Sequence, residues 1–376
     1  MINEKMDPGR LLVTGGCGFI GSNLAAHFLD KGWQVCIYDS FVREGTEINA
    51  AWLEERGNGR LSILRGDVRD YIPLHQAMQG VDVVVHLAAQ VAVTSSVKNP
   101  LYDFSVNALG GLHVLEAARN CDPSPIVLYA STNKVYGQLE NQHRTSGNLR
   151  YTSLDHPQGV SEEFPIDLHS PYGCSKGICD LYAIDYDRIY GLKTVVFRQS
   201  CIYGPRQFGV EDQGWMAHFV ISALLGRPIT IFGDGRQVRD VLHIGDLISV
   251  YERAIERIDD IHGRAYNIGG GPENASSLLE MIYRLEARFD RAIPLIFSQW
   301  RPGDQRIYVS DIRQAKLDLD WEPRMGVEDG LEELCQWVED HQDLIETVAL
   351  ESERKNIPLV DSVVSGSESA IDILKE

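Results

Sequence analysis

The stretch Leu11-Leu12-Val13-Thr14-Gly15-Gly16-Cys17-Gly18-Phe19-Ile20-Gly21-Ser22-Asn23 reads as an apolar strand, a glycine turn and the start of an amphipathic helix running to Leu29. Gly15, Gly18 and Gly21 recur at every third position. That spacing lets the turn tighten, lets the backbone approach a pyrophosphate seated on the helix N-terminus, and lets the helix pack on its strand. A second apolar strand, Gln34-Val35-Cys36-Ile37-Tyr38, ends in Asp39, whose carboxylate would bond a ribose 2′-hydroxyl and repel a 2′-phosphate. The expected cofactor is therefore NAD, with Arg43 near enough in sequence to weaken the preference over NADP.

Outward from this unit, strands and helices alternate to about residue 198, with further strands at 61–64, 81–87, 126–130 and 194–198. The pattern predicts an α/β fold, a Rossmann-type doubly wound parallel sheet. A chain of 376 residues exceeds one typical core. Residues 1–198 are read as the NAD-binding domain and 199–342 as a smaller mixed α/β substrate-binding lobe rich in Arg, Gly and Pro, with some interleaving. Residues 343–376 are read as a weakly attached, polar and acidic tail. The polar stretch 138–168 is expected to be a long loop forming a partial lid beside the active site.

Within Ser170-Pro171-Tyr172-Gly173-Cys174-Ser175-Lys176, a phenol and an ammonium four residues apart share one helical face. Bringing a tyrosine from about 10 to near neutrality takes about 4 kcal/mol. One ammonium at about 4 Å supplies roughly that much at an effective dielectric of about 20. The spacing alone also fits a surface Lys beside a half-buried Tyr, and the glycine turn upstream decides for a catalytic base.

Composition narrows the rest. No run of 18 apolar residues and no basic-then-apolar leader occurs, so neither a membrane nor a secretory route is expected, and the protein is placed in the cytoplasm. The seven cysteines show no metal-ligand spacing and read for the most part as buried thiols; no metal is expected. A formal charge of −19 argues against nucleic acid as a partner. An anionic substrate then requires locally placed arginines, and Arg206, Arg239 and Arg301 are the candidates.

Taken in order, Thr14 to Gly21, His86-Leu87-Ala88-Ala89-Gln90, Asn107 to Gly111, Ser131-Thr132-Asn133-Lys134-Val135-Tyr136-Gly137, Tyr172 to Lys176 and Val238-Arg239-Asp240-Val241-Leu242-His243 resemble the extended short-chain dehydrogenase/reductase family of nucleotide-sugar epimerases and dehydratases. Within it, the segments 131–137, 169–176 and 212–215, with the long loop before Tyr172, are most similar to the branch of 2-epimerases that act on CDP-linked 3,6-dideoxyhexoses. This implies oxidation at C2, interconversion of paratose and tyvelose, and a place in making lipopolysaccharide O-antigen sugars.

The resemblance implies Thr132, Tyr172 and Lys176 as the catalytic set: Tyr172 the general base, Lys176 favouring its phenolate and holding the nicotinamide ribose, Thr132 bonding the reacting hydroxyl. It implies cofactor contacts from Gly15, Gly18, Phe19, Ile20, Gly21, Asp39, Ser40, Asp67, Val68, Leu87, Ala88, Ala89, Gln90 and Asn107. Substrate contacts would come from Thr132, Asn133, Cys201, Arg206, Gln213, Arg239, Arg301 and Asp304. Two departures matter. Dehydratases of this group carry Asp-Glu after the catalytic Thr, whereas Asn133 and Lys134 stand here and neither is a carboxylate base. Cys201 stands where many 4-epimerases place a substrate-binding Asn, and it is read as a packed thiol rather than a reactive group.

His86 is read as a support of the cofactor pocket and His243 as structural. Leu181, Ile184 and Ile189 form a stripe of core or dimer face, and the resemblance implies a homodimer paired through this helix and residues 101–119. The alternatives are a 4-epimerase, a decarboxylase or dehydratase of the same family, and a non-catalytic NAD-responsive binding protein.

Overall fold

The computed structural model describes residues 8–139, 144–301 and 303–348. Seven strands build its central sheet: β1 (Arg10–Thr14), β2 (Gln34–Asp39), β3 (Leu61–Arg65), β4 (Val83–His86), β5 (Ile126–Thr132), β6 (Thr194–Gln199) and β7 (Arg264–Ile268). All are parallel, in the order β7-β6-β5-β4-β1-β2-β3. Strand order reverses between β1 and β4, and the crevice outside their carboxyl ends is where a ligand binds in such sheets.

The two-residue period of a strand explains why β1 is apolar throughout. Leu11 and Val13 face one layer, where helices Phe19–Asp30 and Ile244–Glu256 contribute Leu24, Phe28, Leu247 and Tyr251. Leu12 faces the other, against Val114, Ala117 and Ala118 of helix Gly110–Arg119 and Cys179 and Ala183 of helix Ser170–Tyr190. Leu11, Leu12 and Val13 are all 0 % exposed, so both faces of the sheet are sealed.

A second core holds the lobe together: Met216 and Phe219 meet Ile229, Ile231, Met281, Leu285, Leu331 and Leu334. Its strand Val238–His243 pairs with Cys201–Tyr203, Ala275–Ser277 and Ile307–Tyr308. The interleaving is larger than a boundary at 198 implies. Helix Ile244–Glu256 and β7 leave the lobe's stretch of chain and return to the central sheet, because their apolar residues complete that core.

The described residues of 138–168 do not form a lid. Strands Arg144–Ser146 and Tyr151–Ser153 form an antiparallel hairpin, and the segment lies strapped along the lobe. Tyr151 N–H donates to Arg236 O at 3.0 Å, Val160 N–H to Val309 O at 2.8 Å, and Glu162 Oε1 accepts from Asn267 N–H at 2.7 Å. Such a stretch satisfies its backbone on a neighbour, and none of its described residues reaches the two cavities described below. Nor does the attached chain stop at 342. Residues 342–348 are helical and bury Ile345 at 2 % exposure against the lobe core; the tail expected beyond them lies outside the described residues. No described helix is long and apolar enough to cross a membrane.

Candidate active site

The glycine turn after β1 works by close approach. Gly15 sits at φ +70°, and a Cβ there would meet Ala88 N at 2.8 Å; one on Gly21 would meet Gly15 O at 2.5 Å. No side chain caps the helix that begins at Phe19, so its first N–H groups face a cavity of about 450 Å³. That is an anion site by construction. Its walls include Gly15, Gly18, Phe19, Ile20, Gly21, Asp39, Ser40, Asp67, Val68 and the run Leu87 to Gln90, which the structure brings together around one space. The residues present fit NAD: a small-residue cradle, uncapped N–H donors and a carboxylate at the end of β2.

Asp39 braces the turn as well as facing the cavity. Its Oδ2 accepts from Cys17 N–H at 2.9 Å and its Oδ1 from Phe41 N–H at 2.8 Å. Burial pushes its pKa up against the pull of these two bonds. Arg43 is exposed on the cavity wall. His86 is hydrogen-bonded through Nδ1 to Thr14 Oγ1 at 2.7 Å, and burial lowers its pKa to about 3, so it stays a neutral support.

Asn107 is placed apart from the other expected cofactor residues. It does not line the cavity but stands behind it, accepting from Gln90 N–H at 2.8 Å and donating to Gln90 O at 2.9 Å. A π-turn over Ser105–Leu109 carries it, a local widening that side-chain periodicity cannot reveal.

A second cavity of about 380 Å³ opens from the first and shares Phe19, Ile20, Ser131, Tyr172 and Gln213 with it. Thr132 lies at the end of β5, and Tyr172 in the first turn of its helix, its N–H donating to Ser96 Oγ at 3.1 Å. Burial lifts Tyr172 to about 12, with a hydrogen bond to Thr132 pulling the other way. Among the described residues no direct hydrogen bond joins the Tyr172 phenol to Lys176. Lys176 Nζ donates to Ala130 O at 2.6 Å and lies 4.3 Å from the centre of the Tyr129 ring. Burial lowers its own pKa to about 8. The Ala130 carbonyl takes one of the three donors of this buried ammonium.

Asn133, Lys134, Cys201, Gln213, Arg239, Arg301 and Asp304 line this second cavity with Thr132. Arg239 donates to Asp304 Oδ1 at 2.6 Å and to Gln305 O at 2.7 Å. Arg301 pairs with Asp212 at 2.9 Å and lies 3.8 Å from the centre of the Phe232 ring. Lys134 Nζ reaches Gly303 O at 3.3 Å and stands 3.9 Å from Asp304 Oδ1; burial, with Arg239 nearby, lowers it to about 8. Burial raises the Cys201 thiol, which keeps it protonated, as a packed thiol should be.

Arg206 is the exception: it lines the first cavity only. Sequence reading also missed Thr94, Gln207 and Gln237. Thr94 Oγ1, Gln207 Oε1 and Gln237 Oε1 are buried in the wall of the second cavity with no partner among the described residues, the mark of a surface shaped for a polar ligand. No motif flags them, because no local period or spacing fixes where they point.

A family model for GDP-mannose 4,6-dehydratase matches residues 12–334. The chain belongs to that family. Among its relatives, the CDP-paratose 2-epimerase of Salmonella typhi is 42 % identical over 335 residues, covering 87 % of this chain and 98 % of that protein. A putative UDP-glucose 4-epimerase of Methanocaldococcus jannaschii is 32 % identical over 333 residues, covering 88 % and 99 %. The UDP-glucuronic acid 4-epimerase of Bacillus cereus, solved with UDP-glucuronic acid and NAD, superposes with a TM-score of 0.76 at 29 % identity, covering 88 % of this chain and 99 % of that one. The dTDP-glucose 4,6-dehydratase of Streptomyces venezuelae, solved with NAD, gives 0.78 at 28 % identity, covering 90 % and 99 %. The family read from the motifs and the doubly wound fold both hold, and solved relatives carry NAD.

Proposed function

We propose that the protein is an NAD-dependent nucleotide-sugar epimerase that inverts C2 of a CDP-linked 3,6-dideoxyhexose, interconverting CDP-paratose and CDP-tyvelose. The observation that carries the epimerase reading is the junction of the two cavities: Tyr172 and Ser131 face both, Thr132 faces the second, and the next two side chains on the substrate side are an amide and an ammonium. Dehydration needs a carboxylate there to remove a proton beside the ketone, and Asn133 and Lys134 supply none. The choice of C2 and of cytidine rests on likeness to the Salmonella typhi enzyme.

Bound NAD⁺ would accept a hydride from the sugar carbon and return it to the opposite face. Tyr172 takes the proton of the hydroxyl on that carbon, and Thr132 Oγ1 holds the same oxygen. Lys176, on the wall of the first cavity, would hold the nicotinamide ribose. Arg239 and Arg301 hold the nucleotide diphosphate while the sugar turns, and the apolar wall of Val91, Val93, Ile202 and Met216 lets the ring turn without breaking fixed hydrogen bonds. The working unit is a homodimer in the cytoplasm. Leu101 (83 % exposed), Phe104, Leu181, Tyr182, Ile189 and Tyr190 expose a broad apolar face on helices Pro100–Phe104 and Ser170–Tyr190.

The test is product stereochemistry. Incubated with CDP-paratose, UDP-glucose and dTDP-glucose, the purified protein should convert only the first, with inversion at C2 by NMR and no change of mass. Inversion at C4 would favour the 4-epimerase, and loss of water or carbon dioxide the lyases.

A further inference from the structure

Arg206 is a buried cation with no carboxylate in ion-pair contact among the described residues. Its side chain leaves the lobe's loop after Tyr203 and enters the cofactor cavity beside Cys17 and Gly18, and the residue is 6 % exposed. Nε donates to Asn49 Oδ1 at 3.0 Å, and Asn49 Nδ2 donates in turn to Cys17 O at 3.1 Å, so the guanidinium is tied to the glycine turn itself. One face lies 3.9 Å from the centre of the Trp52 ring. Among the described residues its one side-chain hydrogen bond is the Nε bond to Asn49. Burial, with Arg56 nearby, lowers its pKa to about 10 against the opposing pull of Glu55. The backbone holds it at φ +69°, a left-handed position uncommon for a side chain of this kind, and Asn23 Nδ2 fixes the preceding turn by donating to Pro205 O at 3.1 Å.

A buried guanidinium is retained where an anion completes it. Resting on the NAD reading above, we infer that Arg206 is a cofactor-binding residue: it anchors the dinucleotide pyrophosphate from the substrate lobe, opposite the helix N-terminus at Phe19. The pyrophosphate is gripped from both sides, by the uncapped N–H groups of the sheet domain and by a planar fork from the lobe. Substrate-lobe position and cofactor retention are thereby coupled through one side chain. Trp52 and Asn49 orient the fork, which a lysine could not reproduce because its ammonium has no plane to stack.

Calorimetric titration of nucleotide-stripped protein with NAD, ADP and adenosine tests this on wild type, Arg206→Met and Arg206→Lys, with melting curves to confirm folding. Arg206→Met should bind NAD and ADP at least about tenfold more weakly, as loss of a charge-assisted hydrogen bond requires, while adenosine affinity changes less than about twofold. Arg206→Lys should fall between them, and it decides the matter should the methionine variant not fold. NAD affinity unchanged in Arg206→Met, or an equal loss for adenosine, would overturn the inference while leaving the cofactor reading intact. Wild-type protein that binds neither NAD nor ADP would overturn both.

Discussion

Lys176 follows Tyr172 by one helical turn, yet its ammonium is held on the Ala130 carbonyl at 2.6 Å, and the influences on the phenol are burial, Thr132 and Asp103. The helix supplies the spacing of a base and its activator; the strand end at Ala130 sets where the activator points. In this arrangement the phenol rests protonated, raised to about 12.

Proton release should accordingly be linked to cofactor binding. The cation of NAD⁺ favours the phenolate and NADH lacks it, so the ratio of NAD⁺ to NADH affinity should rise with pH through the alkaline range, while Lys176, lowered to about 8 in the same cavity, acts on both forms. Tyr172→Phe should remove the pH dependence of this ratio, keep NAD⁺ binding within a few-fold at pH 7, and lower turnover at least about 100-fold. Equal pH dependence of the ratio in wild type and Tyr172→Phe would assign the proton elsewhere; more than about a tenth of activity remaining would remove Tyr172 as the base.

Lys134 should destabilise the fold at neutral pH. Its pKa falls from 10.5 to about 8 on folding, so the unfolded chain binds the extra proton between these values and stability must rise with pH across that window. Below about pH 8 the penalty is complete. Lys134→Met should therefore raise the melting temperature at pH 7 by about 2 °C, for about 1 kcal/mol after allowance for the 20 % of the side chain left exposed. The gain should shrink toward pH 10. Substrate affinity should fall in the same variant, because Asp304 then draws on Arg239 alone.

The sheet was legible because its strands are buried on both faces, and because a glycine turn followed by an acid at the end of β2 is the local chemistry of a dinucleotide cradle. The expectations for the reacting groups have two sources: Tyr172 and Lys176 rest on a helical period, and Thr132 on the resemblance of 131–137 to the family. What failed depended on contacts between distant segments. Arg206 looks like a substrate arginine until Asn49 and Trp52 draw it to the cofactor side. Residues 138–168 look like a lid until Val309, Arg236 and Asn267 are seen to satisfy their backbone and side chains. Asn107 meets Gln90 from within a π-turn, which no side-chain period announces.

The apolar face should be the dimer seam. Leu101→Glu combined with Leu181→Glu places two charges on residues 83 % and 48 % exposed, where no core packing is lost. Light scattering should show the wild type as a dimer and the double variant as a monomer with an unchanged far-ultraviolet spectrum. A monomeric wild type would leave this face to another partner.

The carbon that reacts can be read from isotope labels. If the hydride leaves C2 and returns to C2, CDP-paratose deuterated at C2 should turn over more slowly and yield CDP-tyvelose with the deuterium still at C2. Tyr172 exchanges only the hydroxyl proton with water, so label at carbon is protected throughout, and the two positions after Thr132 hold Asn133 and Lys134 in place of a carboxylate that could strip it. Deuterium lost to solvent would mean deprotonation beside a carbonyl and would require another base, for which Lys134, lowered to about 8, is the nearest amine. A slowing seen only with label at C4 would move the oxidation to C4 and sink the C2 assignment.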